Sequence, residues 1–415
     1  MRKLLVVCAF AALPVYGAGF DFAGQSARAM GMGGAYVAAV DDPSAIYYNP
    51  GALGLLKKKK GASIGVAMVK QNEGLFQGLP PGIAIGTTGE QRTPTAAVPH
   101  AFATLPFGKS AVLGIGTYSP FRMRTEWKDD PAFAGRFLAR RSQIDVLDVA
   151  TTLGVKAGPF GFGAGVLYRT AKLEASRRVA ALLNGEQREI GDLDMRTDNK
   201  SAYGWTAGLM LRPSARFSWG ASYRSRTRTE AFGVGKLTQI ATGDTQLDTL
   251  VKASFPFGQD LALASTFEMP AQASTGIAFA PSKPLLIELD ATRTQWGRIS
   301  SYSFAFVNDP LFSTSYPLTL KDAMTYRAGL RFMFPTGPQV RIGYALEESP
   351  QPDETVGAFL ADAERSTITA GVGLDWLDLA VAWTSRQGRI VTTNSDQLNG
   401  NWRGNEWMLL LTVTK

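Results

Sequence analysis

The chain has 415 residues, 45% hydrophobic and 19% charged, and a formal net charge of +8 at pH 7 from 43 basic and 35 acidic residues. Charges of both signs are interspersed, and the one basic block, Lys57 to Lys60, is short, so nucleic acid is excluded as an expected partner and the block reads as a solvated flank marking a boundary. The single cysteine, Cys8, rules out a disulfide framework.

Residues 1 to 17 carry Arg2 and Lys3, an apolar run from Leu4 to Leu13, and small residues around Gly17 and Ala18, the layout of a secretory signal peptide. Cleavage after Gly17 or Ala18 removes Cys8, an apolar filler within that run, and lowers the formal charge from +8 to +6. Beyond it no stretch approaches the ~18 apolar residues of a membrane helix. Two classes stay open, a soluble secreted protein and a membrane barrel, whose alternating strands leave hydropathy near neutral as it is here.

Residues 18 to 58 have no clear period of helix or strand, and Asp41-Asp42-Pro43 and Asn49-Pro50 are turn formers. From residue 59 onward segments alternate with period two. Phe162, Ala164, Val166 and Tyr168 oppose Gly161, Gly163, Gly165 and Arg169; Val340, Ile342, Tyr344 and Leu346 oppose Arg341, Gly343, Ala345 and Glu347. A third segment sets Phe217, Trp219, Ala221 and Tyr223 against Ser218, Gly220, Ser222, Arg224, Arg226 and Arg228. A soluble sandwich also alternates. Here, however, short turns (105–109, 157–159, 212–215, 280–284, 334–338) alternate with long loops (122–141, 179–200, 233–260, 305–321, 349–364, 392–404), the asymmetry of an outer-membrane barrel.

Strand starts fall near 61, 95, 110, 142, 160, 201, 215, 261, 284, 322, 338, 365, 376 and 404, about 14 strands if Leu261 to Ala280 is one strand despite Pro270. The fold class is therefore all-β, a transmembrane antiparallel barrel in the outer membrane. A barrel of this size keeps a lumen. Irregular backbone is tolerated at membrane depth only where protein shields it, so residues 18–58 are expected as a hatch plugging that lumen and residues 59–415 as the barrel.

The quoted residues resemble the FadL/TodX (OMPP1) family of outer-membrane transporters for hydrophobic compounds. "GMGGAYVAAVDDPSAIYYNPGAL" is similar to that family's N-terminal hatch, including Asp41, Asp42, Asn49 and Pro50. "GIGTYSPFRMRTEWKDDPAFAGRF" is similar to its third strand and following loop, and "PAQASTGIAFAPSKPLLIELDATRTQW", "YRAGLRFMFPTGPQVRIGYALEESPQPDE" and "DAERSTITAGVGL" extend the likeness over most of the chain. The resemblance implies passive uptake of long-chain fatty acids or other apolar molecules, caught in a groove between loops, passed to a lumen site and released sideways at a kinked third strand. Ser119 and Pro120 are the candidate gap, since proline removes a ladder donor; the plainer alternative is that Pro120 only ends its strand.

Phe121, Met123, Trp127, Phe133 and Phe137 form an apolar cluster in a loop expected to face water, which marks either a ligand-binding surface or a loop packed on itself. A carboxylate ligand needs a cation in the lumen: Arg224, Arg226 and Arg228 on one inward face, or Arg169 with Lys172. The alternative is that such arginines pair with inward acids such as Glu288 and Asp290, or with the hatch aspartates. The final stretch "WMLLLTVTK" lacks the terminal aromatic usual in such barrels, although Trp407, Leu409, Leu411 and Val413 still alternate outward.

Enzyme signals fail. "GASIG" at 61–65 matches G-x-S-x-G, but the elbow needs a strand-to-helix turn and a histidine partner, and the only histidine, His100, falls in an expected strand. "GMGGAY" lacks the third glycine of a dinucleotide loop, and no His/Cys cluster could hold zinc, so neither metal nor cofactor is expected. The expected partners are outer-membrane lipid and a hydrophobic small molecule, bound by a monomer. Two other readings compete: a barrel scaffold holding a partner protein, and a general porin.

Overall fold

The computed structural model describes residues 19–183 and 185–415. The expected signal peptide, with Cys8, and Ala18 lie outside the described residues. The described chain forms one antiparallel sheet that closes on itself through pairing of Gly61–Gly78 with Gly400–Thr414. Its ladder segments join into 14 barrel strands. These are β1 (Gly61–Gly78), β2 (Thr95–Phe107), β3 (Ala111–Tyr118 and Arg122–Glu126), β4 (Arg141–Ala157), β5 (Phe160–Leu183), β6 (Glu186–Thr197 and Lys200–Ser214) and β7 (Phe217–Arg224 and Thr227–Gln239). There follow β8 (Asp260–Met269 and Gln272–Phe279), β9 (Leu285–Thr294 and Ser301–Phe306), β10 (Ala323–Met333), β11 (Gln339–Glu347), β12 (Arg365–Gly373), β13 (Leu377–Val391) and β14 (Gly400–Thr414).

Period-two alternation decides which face is apolar to the outside. Ile64, Ile115, Val166, Ile277, Leu289, Ile342, Val372 and Leu409 are exposed, whereas their neighbours Ser63, Leu167, Ala278, Glu288 and Arg341 are buried. Outward aromatics form two girdles. Phe107, Phe160, Phe217, Phe279, Phe332 and Trp376 lie near the short turns, and Tyr168, Tyr203, Trp205, Tyr326, Trp383 and Trp407 lie toward the loops. That band fits a bilayer, and the chain is an outer-membrane barrel; none of the described helices is long and apolar enough to cross a membrane.

Several expected loops are ladder instead. β5 is 24 residues long, about 80 Å of extended chain at ~3.3 Å per residue, far beyond the ~10 residues of a crossing. Its end pairs with Glu186–Thr197, so most of 179–200 is a hairpin standing above the membrane. Charges such as Arg188, Asp192, Asp194 and Arg196 had marked it as loop. Likewise β7 continues to Gln239, Thr245–Ser254 is a helix capped by Asp244, Ser301–Phe306 pairs with the short strand Thr314–Pro317, and β14 begins at Gly400. The segment 261–280 is interrupted at Pro270-Ala271, where proline breaks the ladder, yet both halves occupy one place in the wall.

Candidate functional site: a filled lumen and an opening in its wall

Residues 19–56 lie inside the ring of strands, with most side chains buried. Local turn chemistry shapes this segment. Ser26 caps Ala27–Met30, Asp42 Oδ1 accepts the Ser44 N–H at 2.9 Å, and Asn49 Oδ1 accepts the Gly51 N–H at 2.9 Å to start the tight turn Pro50–Leu55. The Asn49 amide also donates to Val37 O (2.9 Å) and Leu209 O (3.1 Å), tying two parts of the segment to β6. Gly208 permits that approach, since a Cβ there would stand 2.3 Å from Asn49 Oδ1.

The inward acids grip backbone rather than arginine. Asp290 Oδ2 accepts the N–H groups of Tyr36 (2.7 Å) and Val37 (3.0 Å), and Glu288 accepts those of Ala38 (2.6 Å) and Ala39 (3.0 Å). Four successive amides with no strand partner are thereby satisfied by one face of β9. The aspartates of the segment carry the ion pairs: Asp41 meets Arg28 (2.9 Å) and Arg331 (2.8 Å), and Asp42 lies 3.7 Å from Arg28. Arg28 and Arg341 also converge on the wholly buried Asp378.

The wall is incomplete between β2 and β3. Their ladder stops at Ala101–Thr117, and Thr95–His100 pair only with β1. Arg122–Glu126 form their ladder with β4, the Arg92 N–H meets Glu126 O at 2.6 Å above the interruption, and among the described residues no backbone pair joins Arg122–Glu126 to Thr95–His100. From Tyr118 to Arg122 the chain advances four residues while β4 advances three, Asp148 to Asp145, so Ser119-Pro120-Phe121 includes a bulge that bends β3 away from β2. The start of the N-terminal segment fills the place. Phe22 N–H donates to Pro120 O, Arg122 N–H donates to Phe20 O, both at 2.9 Å, and Gln25 donates to Ser119 O.

Behind this opening lies a cavity of about 110 Å³ lined by Phe20, Phe22, Ala96, Met123, Leu360 and the cations Arg92, Arg122, Arg124, Arg365 and Arg386, with Glu126, Asp362 and Glu406. Sequence reasoning missed these cations. Arg122 and Arg124 stand two and four residues after Pro120 and could have been read from that position, whereas Arg365 and Arg386 reach the site only through barrel closure.

The expected residues separate. Arg224 is buried; it donates to Gln272 (2.9 Å) and Tyr47 O (3.1 Å), and its guanidinium lies 4.3 Å from the Tyr47 ring centre. It borders a second small interior cavity with Asp21, Tyr48 and Arg327. Arg226 and Arg228 do not share that face. The break at Ser225-Arg226 inverts the alternation, so Thr227 turns inward and the two arginines are exposed, Arg226 at 3.4 Å from Glu268. Arg169 is buried in a two-pronged pair with Asp148 (2.7 and 2.8 Å), while Lys172, an odd number of residues further, lies on the opposite face beside Glu174.

The apolar loop residues are not a water-facing surface. Phe121, Met123, Trp127 and Phe133 are buried, Trp127 donates its indole N–H to Ala358 O at 2.9 Å, and Trp127, Phe133, Phe76 and Trp402 pack together. The long loops thus cap one another with a continuous apolar core. Phe137 is half-buried and borders an outer cleft of about 280 Å³ with Leu138, Arg177, Tyr316, Phe359 and Leu360.

The family model described as outer membrane protein transport protein (OMPP1/FadL/TodX) matches residues 8–414. The long-chain fatty acid transport protein of Salmonella typhi is 21% identical, covering 98% of this chain and 95% of its own. An outer membrane protein of Neisseria meningitidis is 31% identical over 133 residues, 31% of this chain and 28% of that protein. Among solved structures, a Pseudomonas aeruginosa FadL homologue superposes with a TM-score of 0.78 at 20% identity, covering 96% of this chain and 99% of the other. The Ralstonia pickettii toluene transporter TbuX gives 0.68 at 16%, covering 97% and 98%.

Proposed function

Taking as premise that the chain belongs to the OMPP1/FadL/TodX family of outer-membrane transporters for hydrophobic compounds, we propose that it admits long-chain fatty acids and releases them sideways between β2 and β3. The observation that carries this reading is the unpaired stretch of wall with a cavity directly behind it. A lateral exit lets an acyl chain pass into the membrane without crossing the periplasmic mouth, which residues 19–56 fill. The cleft at Phe137, Tyr316 and Phe359, lined by aromatic and polar groups alike, is the point of capture in this reading, and Arg177 at its edge suits an anionic end.

Each of the five arginines around the inner cavity already lies within 4.0 Å of an acid, and the loosest pairs, Arg92–Glu126 at 3.6 Å and Arg122–Asp145 at 3.7 Å, are the ones into which a ligand carboxylate would exchange. Arg224 and Met123 line neighbouring parts of the same interior. About 110 Å³ does not hold a long acyl chain, so in the proposed path Gly19–Phe22 leave their places beside Pro120 and Arg122 as ligand enters. Their hold is the packing of Phe20 on Trp296 and Phe121 together with a few bonds: Gly19 N–H to Asp362 (3.2 Å), Gly19 O to Arg365, and the two bonds at β3.

The test is uptake of labelled oleate and of toluene by cells bearing the protein or its Ala96→Trp variant, which fills the opening from β2. Oleate uptake should collapse in Ala96→Trp while the barrel remains folded. Unchanged uptake would remove the lateral route, and uptake of toluene without oleate would remove the fatty-acid assignment. Arg122→Ala removes a charged contact worth ~1.5–3 kcal/mol, so oleate should bind about tenfold or more weakly while toluene is unaffected.

A further inference from the structure

The outer wall on the side of the opening carries a second feature. An apolar groove of about 540 Å³ runs over β14, β1, β2, β3 and β4, floored by Ala62, Ala101 and Ala103 and walled by Ile64, Ile115, Val149 and Val413. It lies in the periplasmic half of the barrel, since β1 begins and β14 ends at its lower edge. Small residues at the floor and branched ones at the walls shape a furrow that a flexible chain fills better than a flat surface would.

The same strands carry an unusual rim. Lys57, Lys58 and Lys60 are exposed just before β1, Lys109 sits in the β2–β3 turn and Lys415 lines the groove itself, whereas Lys156, near the end of β4, takes the inward phase at the lumen mouth. Backbone contacts make this rim continuous. Ala62 and Lys415 exchange bonds at 2.9 and 2.8 Å, the Lys59 ammonium donates to Lys109 O at 2.7 Å, and Lys156 N–H donates to Ser110 O at 2.8 Å. None of these seven lysines forms an ion pair among the described residues. Among the described residues Asp375, between β12 and β13, is the one acid in the short turns.

We propose that this side of the barrel binds an anionic phospholipid of the periplasmic leaflet, with an acyl chain in the groove and the phosphate among Lys109, Lys415 and the Lys57–Lys60 block. The groove supplies the apolar half of such a ligand and the rim the charge-complementary half, at the depth where headgroups lie. A bound lipid there covers the outer face of β2 and β3 just periplasmic of the opening. The site does not depend on which compound the barrel transports.

The test uses the full mature chain in nanodiscs of phosphatidylethanolamine and phosphatidylglycerol, released into native mass spectrometry. The first retained lipid should be phosphatidylglycerol well above its share of the bilayer. Lys109→Gln and Lys415→Gln should each lower that enrichment by roughly fivefold at low salt. Ala103→Phe should abolish retention of either lipid, and Lys283→Gln, in the turn between β8 and β9, should change nothing. Folding is read from heat-modifiable migration, and Ala101→Leu replaces Ala103→Phe if the latter fails to fold. Retention at the bulk ratio overturns the proposal, as does enrichment that survives filling of the groove, which would mean adsorption on a basic rim alone.

Discussion

The grip of β9 on the lumen segment can be broken one carboxylate at a time. Glu288 is wholly buried and accepts the N–H groups of Ala38 and Ala39. In Glu288→Ala both amides lose their partner, at about 1–3 kcal/mol for each buried donor left unpaired, so anchoring of this stretch weakens by about 2–6 kcal/mol. At tenfold for every 1.4 kcal/mol, amide exchange at 38 and 39 accelerates roughly 30-fold to 20,000-fold. The β9 ladder to β8 and β10 uses backbone groups only, so exchange at Leu289 and Ala291 stays as it was. Native-state hydrogen exchange of the reconstituted protein reads both sets together. Unchanged exchange at Ala38 and Ala39 would show that the segment is held by its packing and not by this carboxylate; acceleration at Leu289 as well would show that the barrel itself had loosened.

Gly276, opposite Asp290 on β8, leaves room for the carboxylate: a Cβ there would stand 1.9 Å from Asp290 Oδ1. Gly276→Ala should therefore push Asp290 off Tyr36 and Val37 and increase leakage of small solutes in a liposome-swelling assay. Arg169→Ala leaves Asp148 as an uncompensated buried charge and should destabilise the barrel by about 3–5 kcal/mol in denaturant unfolding, with ligand affinity of the folded protein retained if its role is structural. In the loop before β12, burial raises the Glu364 carboxyl to about 7, with Arg389 opposing and Glu348 reinforcing the shift. The native loop then holds a proton that the unfolded chain releases near 4.5, so its stability falls as pH rises from about 4.5 to about 7. Exchange in residues 349–364, corrected for intrinsic rates, should quicken across that window, and Glu364→Gln should remove the dependence.

The barrel wall was legible because its signals are local. Alternation with outward aromatics in 160–169 and 339–347 needs only neighbouring residues, and Asn49-Pro50 carries its own cap. What failed was phase. One alternation carried from Phe217 to Arg228 placed three arginines inward, but Ser225-Arg226 stands opposite Pro270-Ala271, and both strands invert there. A one-residue slip sends every later side chain to the other face, and nothing near Arg226 announces it. Likewise Trp127 and Phe133 read equally as a surface or as a core. Their partners Phe76, Ala358 and Trp402 come from β1, the β11–β12 loop and β14, which meet only when the barrel closes.

At Pro120 the end of a paired stretch and an interruption of the wall fall together. Proline has no N–H for a neighbouring strand, and the extra residue in Ser119-Pro120-Phe121 carries β3 away from β2 while the ladder to β4 resumes at Arg122–Asp145. A wall strand abandoned on one side leaves Pro120 O and Arg122 N–H without partners, and at membrane depth such groups must be satisfied. Phe20 and Phe22 satisfy them from inside the lumen. The opening therefore stays compatible with the bilayer only while the start of the N-terminal segment, or a ligand or water taking its place, covers those groups. Replacing Phe20 and Phe22 by glycine keeps the backbone bonds but removes the aromatic packing of Phe20 on Trp296 and Phe121. If side-chain packing holds the cover, that variant should admit oleate faster; if the backbone bonds hold it, uptake should match the parent protein.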